Sequence, residues 1–283
     1  MGIYAISGSA SGMGRATANR LRADGHTVIG VDLRDAEVVA DLSAAEGRTR
    51  TAREVLAATD GRLDGAVLAA GIGPTPGNLR RIPEVNYLGV VDLLDRWRPA
   101  LAAAGAAKVV VVSSNSTTTT PMVPARTVRA LLAGDVDRAV RSVRVFGPAR
   151  PAIVYAASKI AVSRWLRRHA VRTEWAGAGI RLNALAPGAV LTPLLEQQLA
   201  DPRQRRAVQR FPVPVGGFGD PDQLAQWVCF MLSDSAEFLC GSIIFVDGGT
   251  DAHFRGEDWP RPVPARCIVG YLRKFLRTGF DQP

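Results

Sequence analysis

Short apolar runs alternate with helical segments along this chain, and that alternation restricts its fold more than any other feature. Val109-Val110-Val111-Val112, after Lys108, is the clearest run. It reads as a parallel strand covered on both faces. Similar runs lie at Gly2–Ser7, Thr27–Val31 (ending at Asp32), Ala66–Ala70, Ile180–Ala186 and Ile243–Val246. Helical spacing covers Met13–Ala23, with Gly25 closing it, and Ser43–Ala58, where Ser43 and Glu46 predict a capping box. It returns at Pro83–Ala104, where Pro99 is expected to bend or interrupt the helix, and at Ile153–Ala176. The order predicts an α/β fold: a single doubly wound parallel sheet with helices on both faces. Two segments break the pattern. Residues 115–150 form an insertion, polar at first and helical around Val128–Val145; residues 254–283 form a proline- and arginine-rich tail. One domain over residues 1–258 and an extension over 259–283 are expected.

Composition removes several function classes. Apolar residues make up 47% and charged residues 22%, and no apolar run is long enough to span a bilayer. The first residues already read as a strand, which argues against a secretory signal, and Ile6 stands where a myristoylation site needs Ser or Thr. Cys229, Cys240 and Cys267 have no CxxC spacing, as expected of reduced thiols in a cytoplasmic protein. His26, His169 and His253 are scattered, so no metal site is expected. The net charge of +9 permits nucleic-acid binding, but the basic residues are dispersed and aromatics are only 6%, so no nucleic-acid partner is expected. A basic surface equally attracts anionic cofactors.

The residues that carry chemistry fall at strand ends. Ser7-Gly8-Ser9-Ala10-Ser11-Gly12-Met13-Gly14 is a GxxxGxG turn between the first strand and the first helix. Glycine allows close backbone approach, and the helix N-terminus offers N–H groups to a pyrophosphate, the arrangement of a Rossmann-type fold. Asp32 ends the second strand, where a carboxylate accepts from ribose hydroxyls and repels a 2′-phosphate; this favours NAD, although Arg15 and Arg34 lie nearby. Ser114 follows the valine run at the carboxyl end of a central strand, and Asn86 sits inside an otherwise apolar helix segment, where it needs partners. Tyr155 and Lys159 stand one helical turn apart, so phenol and ammonium share a face. Of 35 basic side chains only Lys108, Lys159 and Lys274 are lysines. At a reactive site lysine and arginine are not equivalent.

Together these pieces resemble the short-chain dehydrogenase/reductase family. The glycine turn, Asp32, Ala69-Ala70-Gly71, Asn86, Ser113-Ser114, Tyr155-xxx-Lys159, Pro187-Gly188 and Asp247-Gly248-Gly249 occur in the family's order, over residues 2–253. Within the family, the stretch from Asp32 to Arg48, the long Ser114-to-Tyr155 separation and Asn183-Ala184-Leu185-Ala186-Pro187-Gly188 are similar to bacterial 3α-hydroxysteroid dehydrogenase/carbonyl reductases. Ser7 replaces the usual Thr, and Ala69-Ala70-Gly71 lacks the usual asparagine.

The resemblance implies an NAD(H)-dependent oxidoreductase acting on a hydrophobic secondary alcohol or ketone, with 3α-hydroxysteroids foremost. It implies Tyr155 as acid or base, Lys159 as its electrostatic partner and ribose ligand, Ser114 as the polarising group and Asn86 as support for a proton-relay water. It further implies that Gly8, Ser11, Gly12, Met13 and Gly14 hold the pyrophosphate, with Asp41, Leu42 and Gly71 on the adenosine side. Pro187, Gly188, Val190 and Thr192 would shape the nicotinamide pocket. Leu194–Leu199 reads as an amphipathic helix beside the site, and Val213, Val215 and Phe218 are expected to add apolar surface. Cys267–Arg277 reads as a second, basic amphipathic helix, expected to pack on the protein rather than anchor it firmly to a membrane. A homodimer built around Pro221–Val246 is expected. The alternatives are an inactive NAD-binding sensor or scaffold, and a lipid-surface adaptor working through the tail.

Overall fold

The computed structural model describes residues 1–259 and 263–276. Seven strands form one parallel sheet in the order β3-β2-β1-β4-β5-β6-β7. They are β1 Ile3–Ser7, β2 Thr27–Asp32, β3 Val38–Val39, β4 Gly65–Leu68, β5 Lys108–Val112, β6 Arg181–Pro187 and β7 Ile243–Val246. The two-residue β3, paired with Val31 and Asp32, is too short to leave a pattern in the sequence. The strand order reverses between β1 and β4, the place where ligands bind in open α/β sheets.

The valine run shows why the sheet is buried on both sides. Val109 and Val111 join the core that includes Leu94, Trp97, Val162 and Trp165. Val110 faces the opposite way, into a core with Ile6, Leu21, Val228 and Met231. Each fully buried valine of this run contributes roughly 1.5–3 kcal/mol of transfer free energy. Helices Gly12–Ala23 and Pro221–Leu232 cover the second face. Helices Ala45–Ala58, Gly89–Ala103 and Arg150–His169 cover the first.

Several expected element details are corrected. The second helix starts at Ala45 without a side-chain cap. Ser43 forms no capping box, because its N–H donates to Asp41 Oδ1 at 2.9 Å. Pro99 does not interrupt its helix, which runs from Gly89 to Ala103 with Trp97 and Leu101 anchored in the core on either side of it. The irregularity lies earlier, in a π-helical turn over Glu84–Leu88. The helix bearing Tyr155 spans Arg150–His169 rather than Ile153–Ala176; Pro151 is tolerated in its first turn, where the missing N–H leaves no bond unmade. Within the insertion, the stretch expected to be helical around Val128–Val145 divides into Ala125–Leu132 and Val136–Ser142, parted at Gly134 with φ 75°; a short helix over Ser116–Thr119 precedes them and a 3-10 helix over Arg144–Ala149 follows. Val128 and Leu131 of helix Ala125–Leu132 pack into the same core as Trp165 and Leu166, so the insertion covers part of the Tyr155 helix. In the tail, a helix runs over Ile268–Leu276; Arg277 lies outside the described residues. No helix among the described residues is long and apolar enough to cross a membrane.

Candidate active site

The glycine turn closes tightly because only glycine fits it. Gly8 has φ 76°, and a Cβ there would lie 2.6 Å from the Ala70 nitrogen; one on Gly14 would lie 2.1 Å from the Gly8 carbonyl. Ser11 makes no side-chain cap and no acidic residue occupies the first turn of Gly12–Ala23. The amides at that terminus therefore stay available to an anion. Ser7 keeps the turn joined to β4: its carbonyl accepts from Ala69 N–H at 3.0 Å and its hydroxyl from Ala70 N–H at 3.3 Å. The strand contact therefore survives without the family's asparagine.

Asp32 braces the same turn. Its Oδ2 accepts from Ala10 N–H at 2.9 Å and its Oδ1 from Leu33 N–H at 2.7 Å. Each oxygen keeps a further lone pair for a ribose hydroxyl. Asp41 Oδ2 accepts from Arg81 at 3.1 Å. Burial alone would raise the Asp41 pKa, but the Ser43 and Arg81 hydrogen bonds outweigh it and hold the carboxyl below its usual range.

One cleft of about 870 Å³ unites the predicted residues. Gly8, Ser11, Gly12, Met13, Gly14, Asp32, Asp41, Leu42, Gly71, Ser114, Tyr155, Lys159, Pro187, Gly188, Val190 and Thr192 all line it. The glycine cradle, the uncapped helix start and the ribose-height carboxylate together fit an elongated dinucleotide.

Ser114 is fixed from both neighbours. Ser113 N–H donates to the Leu185 carbonyl at 2.7 Å, and Asn115 N–H to the Pro187 carbonyl at 2.9 Å, which ties the exit of β5 to β6. The Ser113 and Ser163 hydroxyls lie 2.8 Å apart, which joins β5 to the Tyr155 helix. Ser114 Oγ accepts from Ser116 N–H at 3.1 Å. The Ser114 hydroxyl thus acts as a donor toward the cleft, where it meets Tyr155. Burial raises the Tyr155 pKa, and a hydrogen bond with the Ser114 side chain pulls it back. Lys159 is buried, donates to the Val112 carbonyl at 2.7 Å and sits 6.0 Å from the Tyr155 ring centre. Burial alone pushes its pKa down to about 8.

Asn86 finds the partners that a buried asparagine in its segment needs. It is fully buried within the π turn and does not line the cleft. Its amide clamps the Ile72 backbone, accepting from N–H at 2.8 Å and donating to the carbonyl at 2.9 Å. Gly71 lies between it and Lys159: a Cβ there would be 3.4 Å from Asn86 Oδ1 and 3.9 Å from Lys159 Nζ.

The outer part of the cleft departs from expectation. Leu194, Leu195 and Gln198 of helix Pro193–Ala200 line it as predicted. Val213, Val215 and Phe218 do not. Val213 and Val215 lie beside Gly248 instead, and Val215 is largely exposed. Val208 and Phe211 supply apolar surface, and Pro148, Pro151 and Ala152 line the same cleft. Pro151 and Ala152 lie one turn before Tyr155 on its helix, a spacing that could have revealed them. Nothing in the local sequence marked Val208, Phe211 or Arg81.

Comparisons with known proteins agree with this geometry. A family model described as "NAD dependent epimerase/dehydratase family" matches residues 4–189, and one described as "Enoyl-(Acyl carrier protein) reductase" matches residues 139–251. The 3-alpha-hydroxysteroid dehydrogenase/carbonyl reductase of Comamonas testosteroni is 40% identical over 255 residues, 90% of this chain and 98% of that protein. The cis-4-hydroxycyclohexanecarboxylate dehydrogenase of Sinomonas cyclohexanicum is 31% identical, over 88% of this chain and 96% of its own. A solved 3-alpha-hydroxysteroid dehydrogenase from Pseudomonas sp. B-0831, complexed with NADH, superimposes with a TM-score of 0.84 at 42% identity, covering 90% of this chain and 99% of that one. With a Rossmann-type sheet and a Ser-Tyr-Lys cleft at its switch point, the chain belongs to the short-chain dehydrogenase/reductase family and is an NAD-dependent oxidoreductase of the alcohol/ketone type.

Proposed function

We propose that the enzyme interconverts a secondary alcohol and a ketone on a hydrophobic cyclic substrate, with 3α-hydroxysteroids as the foremost class. The observation that carries this is the set of apolar residues that line the cleft together with Tyr155: Pro148, Pro151, Ala152, Leu194, Leu195, Val208 and Phe211. A fused-ring substrate suits such walls, with its single reacting oxygen at the polar floor. The names of the relatives support the same class: one reads hydroxysteroid dehydrogenase, another a hydroxycyclohexane acid dehydrogenase.

When bound, NAD(H) supplies or accepts the hydride. Gly8, Ser11, Gly12, Met13 and Gly14 would hold its pyrophosphate, and Asp32 its adenosine ribose. Lys159 binds the nicotinamide ribose, and Pro187, Gly188, Val190 and Thr192 shape the nicotinamide pocket. Ser114, which accepts from Ser116 N–H, donates a hydrogen bond to the substrate oxygen and so polarises the carbonyl while keeping its own proton. Tyr155 protonates that oxygen in reduction and takes the proton back in oxidation. A phenol is a poor base near neutrality, so the oxidative direction relies on the Lys159 ammonium to favour the phenolate. With its own pKa lowered to about 8, Lys159 also exchanges protons close to neutral pH. Asn86 acts from behind Gly71, where we place its support for the proton relay through Lys159.

The catalytic unit spans residues 1–258, and we propose that it works in the cytoplasm as a homodimer through Pro221–Val246. Trp227 and Phe230 support this, standing 43% and 47% exposed on the helix that precedes edge strand β7. The test of substrate class is an NAD(H)-linked assay across steroids, quinones, cyclic terpenoid ketones and simple aromatic ketones. Steroid substrates should give the highest kcat/KM. A clear preference for quinones or small aromatic ketones would overturn the steroid assignment.

A further inference from the structure

We infer that Arg81 is a cofactor-positioning residue at the adenosine end of the cleft, acting through Asp41; the inference rests on the NAD(H) reading above. Arg81 and Asp41 both line the cleft, yet they come from separated parts of the sheet. Asp41 follows β3 and Arg81 follows β4, and in the sheet β2 and β1 lie between those strands. The Arg81 guanidinium reaches Asp41 Oδ2 at 3.1 Å and so joins the loop after β3 to the loop after β4.

The bonding around Asp41 shows what the contact does. Oδ1 accepts from Ser43 N–H at 2.9 Å and Oδ2 from Arg81. With the Ser43 hydroxyl, which also hydrogen-bonds the carboxylate, these donors fix its plane and leave one lone pair open. A donor such as the exocyclic amine of adenine is what such a group can receive. Arg81 adds to the Ser43 hydrogen bonds in holding the Asp41 carboxyl below its usual pKa range against the opposing effect of burial. Among the described residues, Asp41 is the only carboxylate that pairs with Arg81, whereas the adjacent Arg80 turns away to Glu84 and Asp137. The arginine at this place is thus committed to Asp41 rather than to a surface network.

The pair is about half exposed, 46% and 44%, so its contribution is modest. Exposed ion pairs are worth up to about 1 kcal/mol, which corresponds to roughly a fivefold change in affinity. The experiment titrates NADH by fluorescence at low ionic strength, with ADP-ribose and reduced nicotinamide mononucleotide as part-ligands. Arg81→Met should weaken NADH and ADP-ribose alike, by about three- to fivefold, and leave the mononucleotide unchanged. Arg81→Lys should recover part of the loss. In an Asp41→Asn background, Arg81→Met should have little further effect. Two results would overturn the inference: NADH binding by Arg81→Met equal to wild type, or a full loss that persists without the Asp41 carboxylate. A wild-type protein that binds no NADH would instead remove the cofactor reading itself, and this inference with it.

Discussion

Lys159 is placed for chemistry at a position that opposes folding. Its folded pKa of about 8 lies below the 10.5 of an unburied lysine. Between those values the unfolded chain holds a proton that the native state does not, so stability rises with pH across that window. Below about 8 the full penalty of the buried ammonium is present. In the cofactor-free protein, Lys159→Met should therefore be inactive yet more stable than wild type near neutrality. Its advantage should shrink as pH climbs through the window, as read by urea midpoints across pH. A variant less stable at neutral pH would show that the lost bond to the Val112 carbonyl dominates. Asp32 carries the second prediction. Asp32→Ala removes the group that repels a 2′-phosphate, and Arg34, with 87% of its side chain exposed, becomes available to one. The ratio of kcat/KM for NADP(H) over NAD(H) should rise at least about tenfold; equal wild-type efficiency with both cofactors would contradict the role of Asp32. What was legible at this scale had a local cause. Gly8 and Gly14 are demanded by the turn's own backbone, and Tyr155 and Lys159 by helical spacing. Arg81, Val208 and Phe211 were illegible because their place in the cleft depends on how distant elements dock.

Among the elements, existence was easier to read than extent. Val109–Val112 announces β5 because a strand buried on both faces must be apolar throughout. The boundaries depended on competition the sequence does not display. Asp41 took the Ser43 amide that a capping box would have used, and Gly134 split the stretch around Val128–Val145 into two helices. The element least explained by the active site is the tail. Ile268, Val269 and Leu272 of helix Ile268–Leu276 are 45%, 64% and 55% exposed, with Arg266 and Arg273 nearby. The helix is short and contains Gly270, which disfavours a strong membrane anchor. Removing residues 259–283 should lower Tm or alter assembly more than it changes liposome binding. Unchanged Tm and mass with lost liposome binding would reverse that expectation.

At the scale of the whole molecule, the fold brings the ends of β1, β2, β4, β5 and β6 to one cleft, to which the insertion adds Asn115, Ser116, Thr120 and Pro148, while no described residue of the tail lines it. The insertion covers part of the Tyr155 helix, a face that another subunit could otherwise use, so a dimer rather than a tetramer is expected by light scattering. A tetramer would contradict the proposed use of Pro221–Val246. The central claim is that this cleft moves a proton through Tyr155 while NAD(H) moves the hydride. The most direct measurement pairs turnover with cofactor binding in Tyr155→Phe, which removes one hydroxyl and little volume. The account predicts that ketone-dependent NADH oxidation falls by about 100-fold or more while NADH binds nearly as in wild type. Retention of most of the turnover, with NADH still bound, would contradict it.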